Sequence, residues 1–230
     1  MTQNTVEVKN LVKTFGKFRA VDDVSFYIPQ GEIFGLLGPN GAGKTTTIRM
    51  LIGILRPDSG TANVLGFDVR KKPEEVKKRI GYMSQKFSLY NDLSVRENLD
   101  FYAAIYNDIS ARQRRLRVDE MLEMVDLKEI EKGLTKSLSG AWRQRLALAC
   151  SIIHKPKMLF LDEATAGVDP VARRYFWDLI YRLAGEGISV LATTHYMDEA
   201  DYCNTIGMMY QGRLVSLAST DTIKDSLPGV

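Results

Sequence analysis

Apolar runs of strand length alternate with segments of helical period along this chain. Five runs predict strands: 5–12, 21–28, 32–38, 157–162 and 188–194. Amphipathic helices are predicted over about 43–54 and 170–184, and the segment 205–217 predicts a hairpin around Gln211-Gly212. This alternation of strands and helices favours the α/β fold class, with a mostly parallel sheet and helices on its faces.

The middle of the chain has a different pattern. Residues 76–85 predict the end of a helix that runs into a strand, and from about 94 to 131 the period is helical. A further helix begins in LSGAWRQ (138–144) and ends at His154-Lys155-Pro156. We therefore predict a single domain with the following parts: a core at 1–86 and 156–217, an inserted helical lobe at 87–155, and the start of a C-terminal tail at 218–230.

The composition is that of an ordinary globular protein. Of 230 residues, 45% are hydrophobic and 26% are charged, and the net charge is +3. The densest basic stretches, 71–79 and 111–117, lie in helix-like patterns, which favours solvated helix faces, so we predict no nucleic-acid partner. Cys150 and Cys203 lie in apolar segments without CxxC spacing, and we interpret them as reduced core residues in a reducing compartment.

No segment has the pattern of a secretion signal or of a membrane span. The first ten residues lack a basic region followed by an apolar one. The longest apolar runs, such as 33–38 and 158–161, are far shorter than the ~20 residues that a membrane helix needs. We expect a soluble chain whose membrane association, if it has one, depends on a partner.

A phosphate-binding loop is predicted at GPNGAGKT (38–45). It matches G-x-x-x-x-G-K-[ST], follows a predicted strand and opens a predicted helix, as the motif requires. Its glycines let backbone N–H groups surround phosphate oxygens, and the helix N-terminus adds partial positive charge. Lys44 is expected to reach the β- and γ-phosphates and Thr45 to ligate Mg²⁺. The competing interpretation, a glycine-rich turn with an exposed Lys44, is disfavoured because every motif position is filled.

Two acidic residues stand at the C-terminal end of the apolar strand 157–162. The strand buries its apolar residues and brings Asp162 and Glu163 to its C-terminal edge, where open α/β sheets bind ligands. Asp162 can hold Mg²⁺ through water, and Glu163 can polarise an attacking water. The alternative, a strand that ends in two solvated acids, is disfavoured by the phosphate loop earlier in the chain.

Three further side chains are candidates for the same region. Gln85 and His195 each end a predicted strand, and both are expected at the sheet edge that carries Asp162. His195 could hydrogen-bond a γ-phosphate or the attacking water, and a purely structural role is the alternative for it. Gln85 could touch Mg²⁺. Phe15 is a candidate for stacking on adenine, with Phe18 as its rival and an ordinary core aromatic as the alternative.

These elements occur in a fixed order: Phe15, the loop 38–45, Gln85, LSGAW (138–142), LFLDE (159–163), Val168-Asp169 and His195. The order strongly resembles the nucleotide-binding subunit of ATP-binding cassette transporters, over essentially the whole chain. Details such as DEATAGVDPVARR and TTHYMDEAD look closest to ATPase subunits of ABC-2-type bacterial exporters. The resemblance implies a P-loop NTPase core with a mostly parallel sheet, an N-terminal antiparallel β subdomain and an inserted helical subdomain.

The resemblance also implies a role for each matching residue. Catalysis would depend on Glu163, His195 and Lys44, and Mg²⁺ would be held by Thr45, Gln85 and Asp162. The residues implied to bind ATP within one subunit are Phe15, Gly38, Pro39, Asn40, Gly41, Ala42, Gly43, Lys44, Thr45, Thr46 and Gln85. Those implied to bind it in trans are Ser139, Gly140 and Ala141.

The partners follow from the same resemblance. It implies a head-to-tail homodimer, or a pair with another cassette subunit, that encloses two ATP molecules. The groove around Gln85 and 86–92 would receive a short helix of an integral-membrane permease subunit, on Phe87, Leu89 and Tyr90. Ordinary core positions are the alternative for these three residues. The location implied is the cytoplasmic face of the inner membrane, reached through the membrane subunit.

The chain departs from the family pattern at three positions. Ala141 and Trp142 stand where the family usually has glycine and glutamine, and Ala164 stands where it has proline after the catalytic glutamate. Ser139 suits an N-cap with the helix starting at Gly140; in a helical conformation Ala141 keeps its N–H donor. Trp142 is expected to pack in the helical lobe. Family chains usually have more residues after the position that corresponds to Val230. The sequence is compatible both with a natural short form and with a truncated one.

Three functions compete at this point. The first is an ATPase that drives export, and the second is a switch that closes on ATP but hydrolyses it poorly, for which Ala141 and Ala164 are the hints. The third is a soluble cassette protein in translation or DNA repair, which usually has two cassettes or a coiled-coil insertion. A GTPase is disfavoured because the sequence has no N-K-x-D motif. We favour the first; the transported substrate is unreadable because selectivity belongs to the membrane subunit.

Overall fold

Two sheets organise the chain. The computed structural model describes residues 4–106, 110–220 and 222. The first sheet is antiparallel, and its strands lie in the order β2 (Phe18–Pro29), β1 (Asn4–Phe15), β4 (Ser59–Val64) and β5 (Phe67–Asp68). In β2, buried Val24, Phe26 and Ile28 alternate with exposed Ser25 and Tyr27. This period of two places one face of the sheet on the core and the other in solvent.

The second sheet has six strands and is mostly parallel. Its order is β10 (Arg213–Ser219), β9 (Thr205–Tyr210), β3 (Ile33–Leu37), β8 (Ser189–Thr194), β7 (Met158–Asp162) and β6 (Ile80–Met83). Five neighbouring strands are parallel to one another: β9, β3, β8, β7 and β6. The edge strand β10 is antiparallel to β9. The central strands β3, β8 and β7 are buried along their whole length, as expected for a sheet covered on both faces.

Six α-helices accompany the sheets in the described part of the chain. They are α1 (Lys44–Leu51), α2 (Pro73–Lys77), α3 (Val95–Tyr106), α4 (Ala111–Met124), α5 (Gly140–Ile152) and α6 (Pro170–Gly185). The helices α3 to α5 follow β6 and precede β7, so they form the inserted helical part. Side chains of β7 alternate between two core clusters: Phe160 packs with α1 and the antiparallel sheet, whereas Leu159 and Leu161 pack with α5 and α6.

Side-chain caps fix where the long helices begin. The Ser110 hydroxyl accepts a hydrogen bond from the Gln113 N–H at the start of α4, and the Gln113 carboxamide accepts from the Ser110 N–H. At the start of α6, the Asp169 carboxylate accepts from two backbone N–H groups, and Pro170 occupies the first helical position. Each cap satisfies donors that the first turn leaves unpaired.

The predicted fold class is confirmed, with local corrections. The strands β1 and β2 are longer than predicted, and the short strands β4 and β5 were missed because their residues are mostly polar or small. The strand β6 ends at Met83, so Gln85 lies in the loop beyond it instead of ending the strand. The domain boundaries stay a prediction, and residues 107–109, 221 and 223–230, which include most of the predicted tail, lie outside the described residues.

Both cysteines are buried and free, in agreement with their interpretation as core residues. Burial raises the pKa of the Cys150 thiol, and it raises the pKa of Cys203 to about 12. Among the described residues, no helix has both the length and the apolar character that a membrane crossing demands.

Candidate functional site

The loop 38–43 joins β3 to α1 in a conformation that requires glycine. Gly38, Gly41 and Gly43 have φ angles of 152°, 80° and 106°. A Cβ atom would lie 2.2 Å from the Met209 carbonyl oxygen at Gly38 and 2.5 Å from the Ala20 carbonyl oxygen at Gly43. The loop therefore lies against neighbouring backbone and turns into α1 with its N–H groups at the helix N-terminus, a ready anion-binding arrangement.

Lys44 is buried at the first position of α1. Its side chain is 3% exposed, and its Nζ donates to the carbonyl oxygens of Gly38 at 2.7 Å and Pro39 at 3.1 Å. The same Nζ lies 3.3 Å from Glu163 Oε1. Lys44, the predicted phosphate-binding residue, thus forms an ion pair with Glu163, the predicted catalytic carboxylate.

Asp162 is held at the end of β7 by two hydroxyl groups. Its Oδ1 accepts from Thr45 Oγ1 at 2.8 Å and from Thr193 Oγ1 at 2.9 Å, and the residue is 2% exposed. Thr193 is opposite Asp162 in the parallel pairing of β7 with β8. Burial raises the pKa of the nearby Tyr82 hydroxyl, and the charge of Asp162 raises it further. Three strands and α1 therefore surround this carboxylate.

Glu163 is the point at which the candidate residues meet. Its Oε2 accepts from Gln85 Nε2 at 2.9 Å and lies 4.0 Å from His195 Nδ1. Its backbone has a φ angle of 50°, and its N–H is bonded to Thr193. This left-handed turn directs the side chain across the sheet edge, so that Lys44, Gln85 and His195 all face one carboxylate.

Two residues that hold this edge of the sheet were not predicted from the sequence. Thr193 contacts both Asp162 and the Glu163 N–H. The sequence signal for it was the pair Thr193-Thr194, two polar residues at the end of the buried strand β8. Gln144, in α5, is 1% exposed and donates from Nε2 to the Ala164 carbonyl oxygen at 2.8 Å. This bond fastens the backbone just after Glu163, where the family usually has proline.

The segment LSGAW begins α5 as predicted. Ser139 is the N-cap, its hydroxyl accepts from the Trp142 N–H, and the helix starts at Gly140. Ala141 is the second helical residue and lies outside the positive-φ region. Ser139 and Gly140 are exposed, and among the described residues they have no hydrogen bond to the loop 38–43 of the same chain. They are thus available to a second subunit.

Trp142 packs in the helical part and forms one side of a stack. The Arg145 guanidinium lies 4.7 Å from the Trp142 ring centroid and 3.6 Å from that of Tyr175 in α6. The Tyr175 hydroxyl donates to Asp126, which also pairs with Arg145 at 3.9 Å. Arg145 thus links α5 to α6, and the Trp142 ring packs on its guanidinium.

If the chain hydrolyses ATP as its sequence predicts, Ala141→Gly should leave the turnover number within a few-fold of that of the unaltered chain. The backbone N–H is unchanged and only a methyl group at a helical position is lost. The substitution should lower the free energy of unfolding by up to ~1 kcal/mol through helix propensity. Thermal unfolding and steady-state turnover check both statements. A tenfold or larger rise in turnover would mean that Ala141 impairs the segment and would favour the switch interpretation.

Phe15 and Phe18 face each other across the β1–β2 hairpin. They are 49% and 63% exposed, so neither is a core aromatic, and Lys13 Nζ lies 5.6 Å from the Phe15 ring centroid. Both rings are available for stacking, and the choice between them stays open.

The predicted docking groove has a mixed character. Phe87 and Leu89 are half-buried and pack against the core, whereas Tyr90 is 47% exposed and stacks edge-on against Phe101 at 4.6 Å. A cavity of about 50 Å³ lies beside them, between the end of β6 and α5. Phe87 and Leu89 line this cavity and also contact the core, whereas Tyr90 is exposed and is not part of the cavity lining. The contact of these three residues with a partner helix stays a prediction.

The sheet order, the glycine loop at the start of α1 and the acidic end of β7 define a P-loop nucleotide-binding domain. The model of the family described as "ABC transporter" matches residues 21–166. This chain belongs to the ABC transporter family, as an ATP-binding cassette.

Curated relatives have the same assignment. The chain is 47% identical over 222 residues to the "Probable multidrug ABC transporter ATP-binding protein YbhF" of Escherichia coli, covering 96% of this chain and 38% of that protein. It is 42% identical to the "Daunorubicin/doxorubicin resistance ATP-binding protein DrrA" of Streptomyces peucetius, covering 96% and 67%. The chain therefore spans well under half the length of YbhF and about two thirds of DrrA.

Solved structures have the same fold. CbiO1 from Clostridium perfringens, part of an ABC transporter complex, has a TM-score of 0.89 at 27% identity, covering 97% of this chain and 91% of that one. The ATP-binding cassette MJ0796, solved as a dimer in a post-hydrolysis state with ADP and Pi, has a TM-score of 0.84 at 25% identity, covering 93% and 98%.

Proposed function

We propose that this chain hydrolyses ATP and that the hydrolysis drives export through a separate membrane subunit. The observation that carries the proposal is the Glu163 carboxylate at the end of β7, which faces Lys44, Gln85 and His195 at 3.3, 2.9 and 4.0 Å. A carboxylate with these three neighbouring side chains can accept a proton from water beside a bound phosphate. The relatives' roles in drug resistance and multidrug transport support export as the coupled process.

Each residue has a distinct task in this proposal. The N–H groups of the loop 38–43 and Lys44 Nζ bind the β- and γ-phosphates, and Lys44 exchanges its loop carbonyl partners for phosphate oxygens. Glu163 orients the attacking water and takes its proton. His195 donates a hydrogen bond to the γ-phosphate or to that water. Phe15 or Phe18 stacks on the adenine.

The residues present fit a magnesium ion. The Thr45 hydroxyl and the Asp162 carboxylate supply oxygen donors 2.8 Å apart, and the Gln85 carboxamide supplies another while its nitrogen faces Glu163. Oxygen donors of this kind are what Mg²⁺ prefers. When bound, the ion would offset the negative charge of the phosphates.

We further propose that two subunits pair head to tail. The exposed start of α5 would place Ser139, Gly140 and Ala141 at the phosphates bound by the partner, where the helix N-terminus favours negative charge. A helix of the membrane subunit would bind at the cavity that Phe87 and Leu89 line and contact the exposed Tyr90. Location at the cytoplasmic face of the inner membrane follows from that attachment.

Turnover of the purified chain tests the proposed activity. We expect phosphate release from ATP in the presence of Mg²⁺ and its loss when a chelator removes the ion. Nucleotide binding without phosphate release would contradict the ATPase and favour the switch. Co-purification with a hydrophobic membrane protein would separate an exporter subunit from a soluble cassette protein.

We expect Ser139→Arg to abolish hydrolysis while ATP binding persists. The larger arginine side chain would enter the phosphate site of the partner subunit and leave the phosphate site of its own subunit unchanged. Mixing Ser139→Arg subunits with Lys44→Ala subunits makes the test sharper. In a head-to-tail pair, one composite site contains both defects and the other contains neither, so activity should return when subunits exchange. Activity that stays absent in mixtures shown to contain mixed dimers would contradict this pairing.

A further inference from the structure

Arg173, on the second turn of α6, contacts the segment that follows His195. Its Nη1 donates to Asp198 Oδ2 at 3.0 Å, and its guanidinium carbon lies 4.1 Å from the centroid of the Tyr196 ring. Its Nε lies 3.7 Å from Glu199 Oε1. The Arg173 side chain is only 14% exposed, and its guanidinium group contacts Tyr196, Asp198 and Glu199.

The charge of Arg173 faces a buried carboxylate. Glu199 is 1% exposed, and in the described part of the chain neither its Oε1 nor Arg173 Nε has a hydrogen-bond partner. A buried charge without a counter-charge is strongly unfavourable. Arg173 therefore supplies the positive charge that lets the turn 197–202 keep Glu199 inside.

Tyr196 extends this contact to the candidate site. Its ring centroid lies 4.2 Å from that of His195, with the planes 35° apart, and the same ring also contacts the Arg173 guanidinium. His195 Nδ1 in turn lies 4.0 Å from Glu163 Oε2. A continuous row of planar groups thus runs from α6 to the imidazole.

From this row we propose that Arg173 is the positioning residue for His195: it fixes the Tyr196–Glu199 turn and thereby the direction of the imidazole. A planar guanidinium can stack on a ring and bond carboxylates at its edge at the same time, which a lysine ammonium cannot do. The structural part of this inference stands alone, and its effect on turnover rests on the proposed ATP hydrolysis.

The chain has two histidines, so histidine NMR can follow His195 directly. The protein is labelled with ¹³C-histidine, and His195→Ala assigns the two ring signals. Arg173→Met should shift or broaden the His195 signal and leave the His154 signal in place. Arg173→Lys keeps the charge beside Glu199 and should move His195 as well. It also serves as the measured variant if Arg173→Met does not fold.

Arg174→Met is the matched control, because Arg174 is the next residue of α6, is exposed and has no ion pair in the described structure. It should leave both histidine signals unchanged. An unmoved His195 signal in the folded Arg173 variant would overturn the inference, and so would an equal change in the Arg174 variant. The histidine NMR signals do not depend on ATP hydrolysis, so they test the position of His195 even if the chain proves to lack the proposed activity.

Kinetics then test the route of action. Arg173→Met should lower kcat about tenfold with ATP affinity nearly unchanged, since a displaced catalytic group costs rate more than binding. In a His195→Ala background the same substitution should have little further effect, because the residue through which it acts is gone. An equal loss in both backgrounds would mean that Arg173 does not act through His195.

Discussion

Glu163→Gln should slow ATP hydrolysis by at least ~10²-fold, the lower range for general-base assistance, while ATP binding persists. The amide has nearly the shape of the carboxylate, and its oxygen can still accept from Gln85, which lies 2.9 Å from Glu163. It cannot take a proton from water at neutral pH. Because ATP would then remain bound between the subunits, the variant should also dimerise more readily with ATP. Single-turnover phosphate release and size-exclusion chromatography measure the two effects.

Glu186→Gln provides the matched control for that measurement. Glu186 is exposed at the C-terminal end of α6, so the same chemical change there should leave turnover unchanged. The variant at 163 also loses the ion pair with Lys44, so thermal unfolding should be recorded for both proteins. An unchanged turnover number for Glu163→Gln would remove Glu163 from the proposed role.

The residues of the candidate site could be predicted where they are close in sequence or share one sheet edge. The loop 38–45 is defined by local conformation, since three glycines with positive φ are needed for the backbone to turn into α1. Asp162 ends a wholly buried strand and Glu163 comes directly after it, so their position at the sheet edge follows from the parallel pairing of that strand. Short-range rules therefore locate these groups before any tertiary contact is known.

Contacts between distant elements could not be predicted in the same way. Thr193 bonds Asp162 because of the register of β7 on β8, and Gln144 bonds the Ala164 carbonyl because α5 packs near the end of β7. A pattern of polar and apolar residues contains neither the register nor the packing. The strands β4 and β5 were missed for a related reason, because the pairing of β4 with β1 and of β5 with β4 stabilises residues that are mostly polar or small.

Lys44→Ala should weaken ATP binding by at least about 10²-fold, because charge-assisted hydrogen bonds to phosphate, each about 1.5–3 kcal/mol, are lost. Lys44 Nζ now bonds the Gly38 and Pro39 carbonyl oxygens and lies beside Glu163, so its ammonium group is already held at the loop. Removing it leaves the backbone N–H groups without a cation to offset the β- and γ-phosphates. Titration with a fluorescent ATP analogue measures the affinity.

The control for this titration is Lys71→Ala, since the Lys71 side chain is 82% exposed and the same charge is removed from the surface. Its affinity should equal that of the original chain, which separates the effect of net charge from that of position. Lys44→Ala also removes two bonds within the loop, so its melting temperature is needed beside the affinity. If Lys44→Ala is folded and binds the analogue with unchanged affinity, the phosphate site is not at 38–45, and the roles proposed for Glu163 and His195 fail with it.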